Sequence, residues 1–173
     1  MGLLTLVKKQ KIKDREIRCL ILGLDNAGKS TIVNQLLPMD QRQQHVSPTI
    51  GFAIHNVEMG PFNVSLWDVG GQTTLRPFWD NYYDRTDVLV WCIDVSSPGR
   101  LAESLQEAKP FLKGDSRVIV ALNKCDLVPS RQDTDKVLEQ VLRLMGPVQF
   151  VACSGRTGKG LRELCSAIAS CNI

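Results

Sequence analysis

Eight consecutive residues, Gly23-Leu24-Asp25-Asn26-Ala27-Gly28-Lys29-Ser30, fit the pattern G-x-x-x-x-G-K-[ST]. That spacing suits one task, the holding of a polyphosphate. Its glycines permit the torsions that turn successive N–H groups inward around phosphate oxygens. A helix starting at the end of such a loop adds its positive N-terminus to the same anion. Lys29 would reach the terminal phosphates, and the Ser30 hydroxyl would ligate Mg²⁺. The expected phosphate-contacting set is Gly23, Asp25, Asn26, Ala27, Gly28, Lys29, Ser30 and Thr31. Gly158-Lys159 looks similar, but Gly160 stands where Ser or Thr is required, so it is not a second such loop.

A phosphate loop does not name the base. Asn123-Lys124-Cys125-Asp126 does. A carboxylate at Asp126 can accept two hydrogen bonds from the guanine N1–H and 2-amino group. Adenine lacks that donor pair and would leave the carboxylate unpaired, at a cost of roughly 1–3 kcal/mol or more. The Lys124 stem would lie along the base, and Asn123 would tie the loops together. A later loop, Cys153-Ser154-Gly155, could offer N–H groups to the guanine oxygen, which adds Ser154 and Gly155 to the base-side set.

Between these motifs lies Trp67-Asp68-Val69-Gly70-Gly71-Gln72. Asp68 can hold a metal-bound water, the Gly71 N–H can reach the γ-phosphate, and Gln72 can orient an attacking water. Thr49, in Ser47-Pro48-Thr49-Ile50-Gly51-Phe52, could complete the metal and γ-phosphate contacts. The expected metal set is therefore Ser30, Thr49 and, through water, Asp68. The expected catalytic set is Gln72, Lys29, Thr49 and Gly71.

These residues need elements that bring them together. Apolar runs broken by Gly and Pro predict strands at 17–22, 52–57, 62–67, 88–93, 118–122 and 148–152. Helices are predicted at about 28–37, 73–83, 101–112, 134–144 and 161–170, with 41–48 a polar loop. Strands alternating with helices imply an α/β fold. Its six-stranded sheet is mostly parallel, with one antiparallel hairpin around Met59-Gly60-Pro61 and helices on both faces.

Composition bounds the rest. The chain has 173 residues, 43% hydrophobic and 23% charged, the usage of an ordinary globular domain. Its longest strictly apolar stretch, 88–93, is far too short to cross a bilayer. Six basic and two acidic residues lie between Lys8 and Arg18, so that segment carries +4 against a net +3. A nucleic-acid binder would spread basic residues over a folded surface, so no nucleic-acid partner is expected. Two readings stand for the basic segment: an arm that meets an anionic membrane or acidic partner, or a solvated turn leading into the first strand. Leu3, Leu4 and Val7 would form one helical stripe. The six cysteines, Cys171 among them, show no C-x-x-C pair and no secretory context, which points to a reduced, intracellular protein.

Together the motifs resemble a small GTPase of the ADP-ribosylation-factor family, a P-loop NTPase. The marks are Gly-Leu-Asp-Asn-Ala-Gly-Lys at 23–29, Pro-Thr-Ile-Gly-Phe at 48–52 and Trp-Asp-Val-Gly-Gly-Gln at 67–72. The opening Met1-Gly2-Leu3-Leu4-Thr5-Leu6 is similar to the Arf-like two and three branch. The segment from Leu36 to Val46, about two residues longer and containing Pro38, is more like the Arf-like six branch. The resemblance implies an arm over 1–16, a GTPase domain over 17–173, and an effector-reading cluster of Phe52, Trp67 and Tyr82. It implies GTP, GDP and Mg²⁺ as ligands, and slow, activator-dependent hydrolysis.

The implied partners are an exchange factor, a GTPase activator and effectors, lipid-cargo carriers among them, on a monomer with weak membrane contact through its arm. The implied setting is cytoplasmic, with cilium, centrosome or membrane association in the GTP form left open. Position 6 is Leu6 rather than Ser or Thr, which argues against acylation of Gly2. Two other functions share parts of this pattern. A nucleotide kinase should carry an arginine-rich lid and no N-K-x-D. A GTP-binding module without hydrolysis would usually lack Gln72 or the metal ligands.

Overall fold

The computed structural model describes residues 2–170, apart from the side chains of Leu4, Lys8, Lys11 and Ile12. The part of the N-terminal stripe resting on Leu4, and Cys171, therefore lie outside the described residues.

Alternation along the first strand shows how the layers form. In β1 (Glu16–Leu22), Ile17, Cys19 and Ile21 face one core while Leu20 and Leu22 face another. Two elements, α2 (Lys29–Leu36) and α6 (Leu161–Ala169), cover the first face with Ile32, Val33, Leu164 and Ile168. The second is covered by α3 (Trp79–Tyr83), α4 (Leu101–Ala108) and α5 (Arg131–Met145). With both faces covered, β4 (Val88–Asp94) reads as an unbroken apolar run buried through Ile93.

The remaining strands are β2 (Phe52–Met59), β3 (Phe62–Val69), β5 (Arg117–Asn123) and β6 (Gln149–Ala152). The sheet order is β2-β3-β1-β4-β5-β6, and only β2–β3 is antiparallel. Five strands are thus parallel, and their C-terminal ends share one edge of the sheet. The loops after β1, β3, β4, β5 and β6 gather along that edge, where ligands bind in open α/β sheets.

Proline moves two predicted helices. The stretch predicted at 73–83 is helical only from Arg76, as a 3₁₀ turn (Arg76–Phe78) running into α3. Pro77 lacks the N–H that an earlier α-helical turn would need. The helix predicted at 101–112 stops at Ala108 and tightens to 3₁₀ through Lys109–Lys113, where Pro110 removes another donor. A single 3₁₀ turn (Met39–Gln41) precedes the polar loop. At the N-terminus, α1 (Leu3–Asp14) ends at Arg15, whose φ of 55° turns the chain into β1.

Candidate functional site

The phosphate loop joins β1 to α2. At Gly28, with φ of 89°, an added Cβ would lie 2.3 Å from the Asn123 amide nitrogen, so the loop closes this tightly only with glycine. Lys29 is 6% exposed and donates to the carbonyls of Gly23 (2.9 Å) and Leu24 (2.8 Å). Burial lowers the pKa of its ammonium. Among the described residues no carboxylate lies within ion-pair distance of it. A buried cation held only by carbonyls is a ready partner for an anion.

At the second residue of α2, three oxygens converge. Ser30 Oγ donates to Asp68 Oδ2 (2.5 Å), Thr49 Oγ1 donates to the same oxygen (2.8 Å), and the two hydroxyls are 2.6 Å apart. Asp68 is 2% exposed, and its other oxygen, Oδ1, has no hydrogen-bond partner. A buried carboxylate with a free oxygen beside two hydroxyls is a hard-oxygen set, and it fits Mg²⁺.

The segment after β3 closes over the phosphate loop. A Cβ on Gly71 would meet Gly23 O and Leu24 C at 2.4 Å, so only glycine allows this approach. The Gly71 carbonyl accepts from the Asp25 N–H (3.1 Å) and from Arg76 Nε (3.0 Å). Arg76, with 7% of its side chain exposed, also reaches Asp25 (3.1 Å), Glu103 (2.8 Å) and Glu107 (3.2 Å). Arg100 joins from the start of α4 at 2.9 Å from Asp25. Its hydrogen bond holds the Asp25 carboxyl below the usual carboxylate range, against burial and with further help from Arg76. Gln72 is exposed and lines a cavity of about 420 Å³ together with Lys29, Ser30, Thr31, Thr49, Gly71 and Lys124.

The base-side residues follow β5 and β6. Asn123 is 1% exposed, donates to Ala27 O (2.8 Å) and accepts from the Gly155 N–H (2.9 Å), so one amide ties three loops. The base contact expected of the Gly155 N–H must therefore compete with an existing bond. Ser154 is fully buried: its N–H goes to Lys159 O, its Oγ accepts from Thr157 N–H and its carbonyl from Gly158 N–H. That serine shapes the loop. Lys124 sits at φ of 64° and pairs with Asp94 at 2.8 Å. Burial works to raise the Asp94 carboxyl, but bonds from Lys124 and Ser96 outweigh it and hold it low. The Asp126 carboxylate is exposed.

On the outer face of the hairpin, Phe52 stacks on Trp67 (5.8 Å, 13°) and meets Tyr82 at 5.3 Å. The Arg18 guanidinium lies 3.9 Å over the Trp67 ring. Phe52 is 48% exposed, and Trp67 and Tyr82 are half-buried against the second core, so the cluster is both a packing and a surface feature.

Sequence reasoning missed Asp94, Arg100, Glu103 and Glu107. Only Asp94 carried a usable signal, an acid at the C-terminal end of a buried strand. The other three depend on how α4 packs. Arg76, four residues after Gln72, bonds to the Gly71 carbonyl and so ties that segment to α4. In the loop before β2, Arg42 donates to Leu37 O and Gln35 Oε1.

A phosphate loop, a guanine-type loop and a segment closing over the phosphate loop, on this sheet, define a small GTPase. The profile of the ADP-ribosylation factor family matches residues 3–171, and the chain belongs to that family. It is 40% identical over 169 residues to ADP-ribosylation factor-like protein 3 of Chlamydomonas reinhardtii, covering 94% of each chain. It is 38% identical over 169 residues to ADP-ribosylation factor-like protein 2 of Dictyostelium discoideum, covering 94% of this chain and 91% of that one.

Among solved structures, the Arl6 BBS3 small GTPase from Trypanosoma brucei with bound nucleotide analogue GppNp superposes with a TM-score of 0.72 at 28% identity. The match covers 90% of this chain and 98% of that one. The chain is thus an Arf-like GTP-binding switch and GTP hydrolase, of a family that works with exchange factors, activators and effectors. Members of the family bind GTP and GDP with Mg²⁺.

Proposed function

We propose that this chain is a Mg²⁺-dependent GTP/GDP switch whose GTP form gathers effectors in trafficking, ciliary or cytoskeletal processes. The convergence of Thr49 with Ser30 on Asp68 carries this reading, because it closes the loop before β2 over the phosphate site. Ser30, Thr49 and, through water, Asp68 would hold Mg²⁺, which neutralises charge on the phosphates. Lys29, freed from its two carbonyl partners, would take the β- and γ-phosphate oxygens. The Gly71 N–H would hold the γ-phosphate while Gln72 orients the attacking water. Asp126 would select guanine, with the Lys124 stem beside the base and Asn123 holding the surrounding loops in register.

Closure also sets the outer surface. Thr49 is followed by Ile50, Phe52 and Ile54, which are 90%, 48% and 44% exposed. Their apolar faces beside Trp67 and Tyr82 support an effector site that exists when the loop is closed, and a lipid-cargo carrier is one effector class it suits. In the same arrangement Leu3, Leu6 and Val7 of α1 stay 78%, 52% and 45% exposed, which supports weak, reversible membrane contact by the arm. We place this activity in the cytoplasm, with a cilium, centrosome or membrane pool in the GTP form, and on a monomer.

Ser30→Asn tests the reading. Titration of fluorescent GDP and GppNHp, with Mg²⁺ and with chelator, should show tight Mg²⁺-dependent binding of both by the parent. The variant should lose the triphosphate analogue preferentially. Equal GppNHp affinity in parent and variant would refute the metal assignment.

A further inference from the structure

The closed loop has almost nothing beneath it. None of residues 38–51 is buried, and a cavity of about 210 Å³ lies between this segment, α2 and β2. A segment without buried apolar side chains takes its shape from hydrogen bonds, and here these fall at a few points. At its C-terminal end the loop is tied by Thr49 and by the Gly70 N–H, which donates to Gly51 O at 2.9 Å. Midway, the Asn34 amide makes a reciprocal pair with the main chain of Gln43. Its Nδ2 donates to Gln43 O (2.9 Å), and its Oδ1 accepts the Gln43 N–H (2.7 Å). A side-chain amide thus mimics a strand partner and fixes both polar groups of one loop residue.

Position in the helix gives this pair its consequence. Asn34 is four residues from Ser30, so both lie on one face of α2. That face presents the Ser30 hydroxyl to Thr49 and, one turn on, the Asn34 amide to Gln43. The residues between 43 and 49 form a strap held at both ends by the same helix. Only the Thr49 end involves residues expected to meet metal and γ-phosphate. Asn34 and Gln43 do not line the phosphate-site cavity.

We propose that Asn34 is a positioning residue that pre-closes the loop, raising the fraction of the triphosphate form competent for effectors. It acts through the Gln43 main chain and touches neither nucleotide nor metal. The role presupposes that the chain is a nucleotide switch. A parent protein that binds no GppNHp would refute the switch itself, whereas a strap failure leaves parental binding intact.

The test uses the full chain loaded with GppNHp and Mg²⁺. In Asn34→Ala, phosphorus NMR should show the γ-phosphate resonance broadened or moved toward an open-loop position. Dissociation of fluorescent GppNHp should quicken roughly 3- to 10-fold, the loss expected for a pair of water-exposed hydrogen bonds. GDP dissociation should change less than about twofold by the same reasoning, since no γ-phosphate is there for the closed loop to retain. Gln43→Ala should match the parent in all three, because the bonds use its main chain. Asn34→Asp, which keeps the acceptor but loses the donor, should fall between parent and Asn34→Ala. A parental γ-phosphate spectrum and GppNHp off-rate in Asn34→Ala would overturn the proposal. So would equal effects of Gln43→Ala and Asn34→Ala.

Discussion

At the residue scale, the site pairs charges so that each loop is held by another. Two carboxylates carry a pH signature. Asp25 and Asp94 both have folded pKa values held low, by Arg100 and Arg76 in one case and by Lys124 and Ser96 in the other. A depressed carboxyl pKa contributes stability above the unfolded value, near 4, and that contribution is lost as pH falls through the lower folded value. Acid unfolding of Asp25→Asn and Asp94→Asn should therefore show a shallower loss of stability below about pH 4 than the parent. Identical acid midpoints would remove these pairs from the account. In the proposed role of Asp126, guanine selection is also a single-residue matter. Asp126→Asn should weaken GTP binding by about 10²-fold or more, for two charge-assisted bonds, and improve xanthine nucleotide binding. Competition titration with the two nucleotides measures both changes.

At the element scale, the arm and the loops respond to the same event. A helix of twelve residues such as α1 is marginal alone and persists only when docked. Here the loop before β2 is closed while α1 exposes Leu3, Leu6 and Val7. The GDP form should bury that apolar stripe, so hydrogen exchange over residues 3–12 should be slower with GDP than with GppNHp. Equal protection in both states would uncouple arm from site.

The elements also show what a sequence makes legible. Strand positions, sheet composition and both nucleotide motifs follow from local pattern, because β1 and β4 are apolar runs that end at chemistry-bearing turns. The breaks at Pro77 and Pro110 have a local cause, the missing proline N–H, although residues predicted helical lie on either side of each. The links made by Arg100, Glu103 and Asn34 could not be read that way. Each depends on which helix face a loop lands on, and that is decided by packing.

At the scale of the whole molecule, the distribution of arginines decides how fast the switch turns itself off. Phosphoryl transfer gains roughly 10³–10⁵ in rate from an arginine placed on the transferring group. Large heterotrimeric Gα proteins, by resemblance, carry one three residues before the equivalent of Thr49; here that residue is Val46. The other arginines near the cavity are engaged elsewhere: Arg42 on Leu37 and Gln35, Arg76 on Gly71, Asp25, Glu103 and Glu107, and Arg100 on Asp25 and Glu103. Withdrawing Arg76 would leave Arg100 alone to offset Asp25 and Glu103 and would take from Glu107 its arginine partner, which favours keeping Arg76 in place. In the proposed roles Gln72 would orient water, while the charge developing on the γ-phosphate would meet Lys29, the Gly71 N–H and the metal held by Ser30 and Thr49, with no arginine. Single-turnover phosphate release by the purified chain should therefore be very slow. Arg42→Ala should slow it by no more than about threefold, against the 10³-fold or greater loss that removing a catalytic arginine brings. A GTPase activator supplying an arginine should restore the missing factor, and Gln72→Leu should abolish that acceleration and trap the GTP form. Fast turnover by the chain alone, lost in Arg42→Ala, would mean that the loop rearranges to deliver its own arginine and that no partner is needed.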